Sequence, residues 1–564
     1  MADKLCNMFK INFNIEKIGL YLVLTPLVAY VIDMLTLIVG GQISILNPLL
    51  TFGVVLLVMV YQKYKWELGH YIIFSCIFLW LATVLYDYGT DGQWYHAKIV
   101  QLLLTGWNPI FHPFDLAHAL DVNVENEVFW AAHYAKGMEI VGATFAALTN
   151  NLETAKVINL YFIIGSFLLV LSWLKQYVRG WRLVLLVIVV TFNPIVVNQM
   201  LTGYIDWTAY TLLLITTHSL YQLLKGRNEY AMPYFLMLFF VLSIKFNIAF
   251  WIVIFTILFF CLLVVYKKCR FPKKIFLSSV GVLLLGLVVG GYNPYVTNLE
   301  KYGNPFYPLI GEKRIEIMDG NQLEAIKGKS RVEQVNISLV SNPNNRLDSN
   351  ELNVFEIKRE NVMSSFLVDT RLGGFGIFFF ESCLLILIGF IFSKKGKGKR
   401  LVTAFCISLY VSLFLLPSGW WARYVSYFYL FPIVILCHNL IGSNKMRLMR
   451  LINYTAFCLL FLDIVLSFGG VCAMALVERT QVDYMLSILS NNQHNVIFTR
   501  NTLFADKAQK AGIKIEDSSQ RMSCVDLLGK DVWVRKDIFE SSKTVAKPFL
   551  LSKISMFDLK YKED

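Results

Sequence analysis

The feature that most constrains this chain is a series of long apolar stretches separated by short charged turns. Of its 564 residues, 56% are hydrophobic and 16% are charged, whereas about a quarter of a soluble domain is charged. An apolar stretch of about 20 residues is long enough to cross a bilayer as a helix. The pattern therefore predicts an all-α polytopic membrane protein. We expect about thirteen transmembrane helices, at 18–40, 44–61, 70–86, 156–174, 183–199, 206–224, 231–245, 247–266, 275–292, 373–393, 401–417, 424–442 and 451–475.

The basic turns predict which ends of these helices are cytoplasmic. Lys and Arg collect on the inner side of membrane proteins, and with the N-terminus inside every basic turn falls on that side. A lysine in mid-membrane is costly, so 231–266 is divided into two short helices at Lys245. The N-terminal residues do not resemble a removable signal peptide. The inner basic turns are 63–65, 175–182, 225–227, 267–274, 394–400 and 445–450.

This topology divides the chain into three parts. Residues 1–69 form the first helices, and 70–475 form a transmembrane core with outer segments at 87–155 and 293–372. Residues 476–564 alternate short β-type runs with a helical run, which predicts a small extracytoplasmic α/β domain. We find no internal repeat.

Charge and cysteine content exclude some classes of protein. The net charge of +13 is concentrated in the basic turns, so it marks the cytoplasmic side and does not indicate a nucleic-acid partner. The ten cysteines form no CxxC and no Cys/His spacing. Neither a disulfide framework nor a zinc site is predicted.

The strongest candidate for chemistry follows the third apolar stretch. Residues 86–113 read YDYGTDGQWYHAKIVQLLLTGWNPIFHP, which places Asp87 and Asp91 at the mouth of a membrane helix among tyrosines and tryptophans. Carboxylates just outside the hydrocarbon suit a general base acting at the membrane surface. The alternative is an ordinary solvated loop with exposed acids.

Further candidates share the same predicted outer face. Arg423 and Lys245 are cations suited to a phosphate leaving group, although either could instead be an anchor reaching for the headgroups. The candidate substrate-binding residues are Tyr95, His96, His112, His133, Asp206, Trp420 and Trp421.

Five segments together resemble the GT-C glycosyltransferases, which are membrane enzymes that use polyprenyl-phosphate sugars. DGQWYHAKIVQLLLTGWNP resembles their Asp-containing outer loop, and FWAAHYAKGMEIVGATFAALTNNLETAKVINL resembles the stretch that leads into their next membrane helix. NPIVVNQMLTGYIDWTAYTLLL, GNPFYPL and RYVSYFYLFP are similar to later segments in the same order. The resemblance covers roughly residues 70–445. The family includes protein O-mannosyltransferases and lipid A aminoarabinose transferases. Here the loop follows the third helix instead of the first. Asp91–Gly92 stands where O-mannosyltransferases have an Asp–Glu pair.

The resemblance implies a GT-C-like fold and inverting sugar transfer. The donor would be a polyprenyl-phosphate sugar, and the acceptor a glycan, lipid or protein at the outer face of the bacterial cytoplasmic membrane. Asp91 would deprotonate the acceptor, with Asp87 as a second acid. Arg423 and Lys245 would neutralise the departing phosphate. No cofactor is implied, and a divalent metal held by Asp87 and Asp91 is open but not favoured.

Three other readings remain. A transporter of lipid-linked glycans usually shows repeats and midplane polar residues, whereas the ionisable residues here gather at one face. A polysaccharide polymerase or ligase would rely more on outer arginines and histidines. A non-catalytic scaffold would not need Asp91.

Overall fold

The structure is a computed structural model in which parts of the chain are described. The residues described are 14–114, 125–267, 272–312, 314–315, 319–348, 356–441, 446–491, 498–515 and 524–535. Part of the basic turn predicted at 267–274, Lys445 and the C-terminal residues from 536 onward lie outside them.

Helices dominate the part of the chain that is described. The α-helices are Ile15–Ile38, Leu46–Tyr61, Lys65–Val84, Ala97–Leu104, Glu125–His133, Gly137–Thr149, Val157–Leu174, Trp181–Thr191, Pro194–Gln199, Thr208–Leu224, Ala231–Val241, Phe246–Lys267, Lys273–Leu285, Thr297–Tyr302, Arg331–Val340, Arg359–Ser364, Phe379–Ile391, Lys397–Ser412, Leu430–Ile441, Arg447–Asn491 and Thr502–Lys510. Short 3₁₀ or π-helical turns are Gly92–His96, Leu152–Lys156, Asn228–Tyr230, Gly286–Gly290, Tyr292–Val296, Asp319–Asn321, Ala422–Tyr429 and Leu527–Gly529. The predicted all-α character is therefore confirmed.

Length and apolar composition identify candidate membrane spans. Among the described residues, six helical segments are long and apolar enough to cross a bilayer, which is compatible with a multi-pass membrane protein. Helices also occupy the other predicted stretches, and most of them are shorter, so the number of about thirteen spans stays a prediction. The six are Ile15–Ile38, Lys65–Val84, Leu152–Leu174, Lys273–Gly290, Ala422–Ile441 and Arg447–Ser490.

The most deeply packed of these helices is Ile15–Ile38. It is apolar on all sides and buried over most of its length, and its most extensive contact is with Val157–Leu174. Two glycines allow this close approach. A Cβ at Gly19 would lie 2.9 Å from the Leu168 Cβ, and one at Gly165 would lie 2.8 Å from a Val23 methyl group. Small residues at a crossing point let two apolar helices touch along their backbones.

Two predicted helices differ from the observed ones for local reasons. The stretch 183–199 is broken at 192–193, because Pro194 cannot continue a helix and the Asn193 side chain instead accepts a hydrogen bond from the Val196 N–H at 3.0 Å. The stretch 373–393 becomes helical only at Phe379. Its preceding backbone is a turn in which Gly373 and Gly376 have positive φ.

The break predicted at Lys245 is present. One helix ends at Val241 and the next begins at Phe246. Lys245 therefore lies between two helices, where its side chain can reach the turn before Thr208–Leu224.

The last long helix does not end at the predicted residue 475. It continues to Asn491, because 476–491 contains neither Gly nor Pro and repeats apolar residues at helical spacing. Its final turns share an apolar cluster with Thr502–Lys510 and the strand Val532–Arg535. That strand lies in the middle of three short antiparallel strands, between Phe498–Thr499 and Cys524–Asp526. The predicted domain boundary at 475 thus falls inside one helix.

Candidate functional site

The turn that carries Asp91 is built around Asp87. After Lys65–Val84 the backbone is extended, and Asp87 accepts hydrogen bonds from the Gly89 N–H at 2.7 Å and the Gly203 N–H at 2.6 Å. A Cβ at Gly92 would collide with the Asp87 carboxylate. Asp87 therefore ties two chain segments together and is buried. Asp91, four residues later, immediately precedes the π-helical turn Gly92–His96 and lines a different cavity from Asp87.

Asp91 belongs to a cluster of five charged side chains. The Arg423 Nη1 lies 3.3 Å from Asp91 Oδ2 and 3.6 Å from Asp206 Oδ2. The Arg423 Nε lies 3.0 Å from Asp369 Oδ1. Lys245 donates a hydrogen bond to Asp206 at 2.7 Å. Three carboxylates therefore share two cations.

Aromatic rings hold the Arg423 guanidinium in place. Its central carbon lies 4.5 Å from the ring centroid of Trp421, 4.9 Å from that of Tyr424 and 5.3 Å from that of Tyr204. Trp420 stacks on Trp421 with centroids 5.2 Å apart. Such cation–π contacts strengthen when they are desolvated. The two tryptophans are buried; Trp421 contacts the guanidinium directly, and Trp420 stacks on the Trp421 ring.

The carboxylates of the cluster differ in access and in protonation. Asp206 is buried and compensated by Lys245 and Arg423. Burial raises the pKa of Asp369 to about 6, although Arg423 opposes the shift. The Asp91 side chain is 33% exposed and that of Asp369 is 22% exposed. Asp91 and Asp369 are thus the carboxylates of this cluster that a ligand can reach.

Both accessible carboxylates line a cavity of about 560 Å³, which we call the polar cavity. This volume is within the range of small-molecule sites, about 300–1,000 Å³. The other lining residues are Tyr88, Thr90, Trp94, Tyr95, Trp130, Tyr134, Tyr204, Lys245, Asn321, Asn345, Leu367, Val368, Arg371, Arg423, Tyr424 and Met474.

A second cavity of about 610 Å³ adjoins the first, and we call it the apolar cavity. Much of its wall is aliphatic or aromatic, including Ile244, Phe246, Phe306, Leu415 and Leu416. Four residues line both cavities, and one of them is a cation, so the shared wall carries a positive charge. The four are Tyr95, Tyr134, Lys245 and Tyr424.

The three candidate histidines occupy different places. His96 lines the apolar cavity, and its Nδ1 pairs with the Glu139 carboxylate. His133 also lines the apolar cavity, with its Nδ1 2.8 Å from Asn298 Oδ1. Burial lowers the pKa of His133. His112 is exposed and lines neither cavity.

A separate group of charges lies behind Asp87. Glu153 accepts hydrogen bonds from the Asp87 N–H at 3.0 Å and from Lys507 at 2.6 Å, and it pairs with Lys156. Burial raises the pKa of Asp87 to about 7, although Lys156 opposes the shift. This Glu153 cluster borders a cavity of only about 40 Å³, little more than the volume of one water molecule. It has no room for a substrate.

A polar network fastens the Asp91 turn to the C-terminal segment. The Gln93 amide donates to Glu478 at 2.8 Å and accepts from Asn501 at 3.1 Å. Lys530 pairs with the other oxygen of Glu478. Because Gln93, Glu478 and Asn501 are buried, their bonds fix the orientation of the turn.

Sequence reasoning missed several of these groups. Asp369 stands in VDTRLGG, immediately before the predicted span 373–393. An acid beside a span on the outer side was the signal that identified Asp91, and it would have identified Asp369 too. Glu139 and Glu153 are isolated acids in a largely apolar region, which suggests buried partners.

Asp87 and Asp91, the pair considered for a divalent cation, do not line the same cavity. Within the described part of the chain, no group of three or more His, Cys, Asp and Glu side chains has the arrangement of a metal site.

Comparisons of the chain with protein-family models, curated proteins and solved structures found no match. Function therefore has to be argued from the site itself.

Proposed function

We propose that the protein is an inverting membrane glycosyltransferase of GT-C type. It moves a sugar from a polyprenyl-phosphate donor to a hydroxyl of a glycan, lipid or protein. One observation carries the proposal: the polar cavity with its reachable carboxylates shares a wall with the apolar cavity, and Lys245 stands in that wall. A donor with an apolar chain, a phosphate and a sugar has its parts in this order.

In the proposed step Asp91 is the general base. It takes the proton of the acceptor hydroxyl, whose oxygen attacks the anomeric carbon of the donor sugar. The bond from that carbon to the phosphate oxygen breaks, and its electron pair leaves with the polyprenyl phosphate. Attack opposite the leaving group inverts the anomeric configuration.

Cations are needed where negative charge develops on the phosphate. Lys245 borders both cavities, and Arg423 lies on the polar cavity beside Asp91. Both already have carboxylate partners, so the phosphate adds to an existing network and does not meet isolated cations. The activated bond arrives with the donor, and therefore the reaction requires no nucleotide.

A second carboxylate, Asp369, lines the same cavity, and its pKa of about 6 suits proton transfer near neutrality. We assign the base to Asp91 because it is the more exposed of the two and stands in the segment that resembles the GT-C loop.

We also propose about thirteen spans in a bacterial cytoplasmic membrane, with the N-terminus inside and the site outside. The alternation of basic turns supports this topology. The C-terminal segment contacts Gln93 and Glu153 of the first outer segment, so it belongs on the same side as the site.

Thiol labelling of intact cells tests the topology. In a background without the native cysteines, a membrane-impermeant reagent should modify Lys327→Cys and not Lys397→Cys. The opposite pattern would place the site inside and contradict the proposal.

The activity test uses purified protein in nanodiscs with a labelled polyprenyl-phosphate sugar. Membrane lipids, the donor and candidate acceptors are its partners, and the measurement is release of polyprenyl phosphate. Wild type should release it and Asp91→Asn should not. Movement of the lipid across the bilayer without cleavage would indicate a transporter. Cleavage only of a diphosphate-linked oligosaccharide would indicate a polymerase or ligase.

A further inference from the structure

The walls of the polar cavity combine aromatic rings with planar polar groups. Seven of the eighteen lining residues are tyrosine or tryptophan, and only Leu367, Val368 and Met474 are aliphatic. Trp130 and Tyr134 have ring centroids 4.7 Å apart, so they form a continuous surface. This composition is unlike that of the neighbouring apolar cavity.

The polar groups are fixed before a ligand arrives. The Arg371 guanidinium donates to Asn345 Oδ1 and to Asn321 Oδ1, each at 3.1 Å. The Arg371 backbone N–H donates to the same Asn345 oxygen at 3.1 Å. These bonds occupy the Asn345 side-chain oxygen. No described residue accepts a hydrogen bond from the Asn345 Nδ2, so that nitrogen can donate to a ligand in the cavity. Such preorganisation lowers the entropy lost on binding.

The charges around the cavity balance. Two carboxylates and three cations line the cavity, and one more carboxylate, which is buried and does not line it, pairs with two of those cations from behind. The six charges sum to zero, so a ligand with no net charge is favoured at this end of the site. These residues are Asp91, Asp206 and Asp369, and Lys245, Arg371 and Arg423.

Two acceptor classes fit this wall poorly. Extended peptides are commonly recognised by adding a strand to a sheet edge, but the strands of the described residues, Phe498–Thr499, Cys524–Asp526 and Val532–Arg535, do not line the cavity. An acyl chain requires a continuous aliphatic surface, which three aliphatic residues do not supply. A sugar presents C–H faces, which pack on the negative faces of aromatic rings, and hydroxyl groups, which both donate and accept hydrogen bonds and so match the amide, carboxylate and guanidinium groups of this wall.

We propose that the acceptor is a neutral glycan whose terminal sugars occupy the polar cavity. This inference rests on the proposed function and names its acceptor class. Trp94 and Trp130 pack on sugar faces, and the Nδ2 of Asn345 donates to a sugar hydroxyl. One hydroxyl faces Asp91, which takes its proton as the new glycosidic bond forms and polyprenyl phosphate leaves.

Equilibrium binding without donor tests the inference. The full-length protein in nanodiscs is titrated with a panel of neutral tetrasaccharides, built from glucose, mannose, galactose or N-acetylglucosamine. A Ser/Thr-rich octapeptide and dioctanoyl phosphatidylglycerol are titrated in parallel. The variants are Trp94→Ala and Asn345→Ala. Trp66→Ala is the matched control, because Trp66 is exposed and lies outside both cavities.

At least one tetrasaccharide should bind, and both cavity variants should weaken it roughly tenfold, as expected for loss of one favourable polar or packing contact. Trp66→Ala should bind like wild type. The inference is overturned if no tetrasaccharide binds, if all variants bind equally, or if only the peptide or the phospholipid depends on Trp94 and Asn345. Unchanged thermal transitions confirm that the variants are folded.

Donor cleavage separates this inference from the proposed function. If polyprenyl phosphate is released but the sugar appears on a peptide or lipid, the glycan inference falls and the transferase stands. If tetrasaccharides bind through Trp94 and Asn345 while no acceptor supports cleavage, the glycan site stands and the transferase falls.

Discussion

Two groups of charged side chains flank the turn Gly92–His96, and they differ in what they face. On one side Asp91 and Arg423 border a cavity of about 560 Å³. On the other side Asp87 and the Glu153 cluster border one of about 40 Å³. Both groups contain carboxylates and cations in contact. Only the first leaves room for a ligand.

The difference teaches that access, and not charge, separates a group of charges that a ligand can reach from one that only the protein itself contacts. The Asp91 side chain is 33% exposed, whereas that of Glu153 is 2% exposed and is fully occupied by the protein's own donors. Substitutions should therefore affect activity on one side and stability on the other.

The largest effect is expected from Glu153→Gln. A neutral amide would leave Lys156 and Lys507 without their buried counter-charge. Breaking a buried ion pair from one side lowers the free energy of unfolding by about 3–5 kcal/mol. The measurement is denaturant or thermal unfolding in a fixed detergent.

The matched control for that variant is Glu324→Gln. Glu324 pairs with Lys327 at 2.9 Å, but both side chains are about half exposed, and such pairs contribute about 0–1 kcal/mol. Equal destabilisation by the two substitutions would contradict the structural role of the Glu153 cluster.

Asp91→Asn should act on turnover instead. The amide keeps the shape of the side chain but cannot accept a proton, so we expect transfer to fall by about 10²-fold or more. Unfolding should change little, because the carboxylate is partly exposed. Asp348→Asn, at an exposed acid outside both cavities, should leave transfer unchanged. Near-normal transfer by Asp91→Asn would move the role of base to Asp369.

Arg423→Lys should have a smaller effect, on use of the donor. Lysine keeps the charge but loses the planar fork that binds two oxygens at once. Donor use should weaken by about 1–3 kcal/mol, the range for a hydrogen bond to a charged group. The measurement is the donor-concentration dependence of transfer, with Arg346→Lys as the exposed control. Indistinguishable curves would mean that Arg423 only holds the carboxylate cluster together and does not bind the donor.

The pH dependence of stability should sharpen the comparison further. Asp87 has a pKa of about 7 when folded, against about 3.9 for an unfolded chain. From about pH 4 to 7 the folded state therefore holds the extra proton, and stability falls as pH rises, by at most about 1.4 kcal/mol per unit. Asp87→Asn should have a flatter profile of unfolding midpoint against pH than wild type. If the two profiles are parallel, the raised pKa of Asp87 does not cause the loss of stability between about pH 4 and 7.

Local sequence predicted much of the fold. Long apolar stretches specified where helices lie, and the cost of a lysine in mid-membrane located the break at Lys245. The sequence also identified the segment with Asp87 and Asp91 as a candidate site, because these acids directly follow an apolar stretch. It did not predict that the last helix extends to Asn491, because the membrane pattern ends before the helical pattern does.

The sequence could not separate Asp87 from Asp91, since both are acids in one short polar segment. Their roles depend on which groups reach them from elsewhere. The Gly203 N–H donates a hydrogen bond to the Asp87 carboxylate. The Asp91 carboxylate instead pairs with Arg423, which is 332 residues away in the sequence.

By itself, then, the sequence determined a mostly helical chain with apolar segments and an acidic turn at the end of one of them. Those properties follow from residue-by-residue hydropathy and from helical spacing, which are local. The tertiary structure alone decided which carboxylate lines the polar cavity, and it brought Asp369 and Lys245 into the same cluster. Packing of distant helices determines which buried charges find partners and which keep room for a ligand.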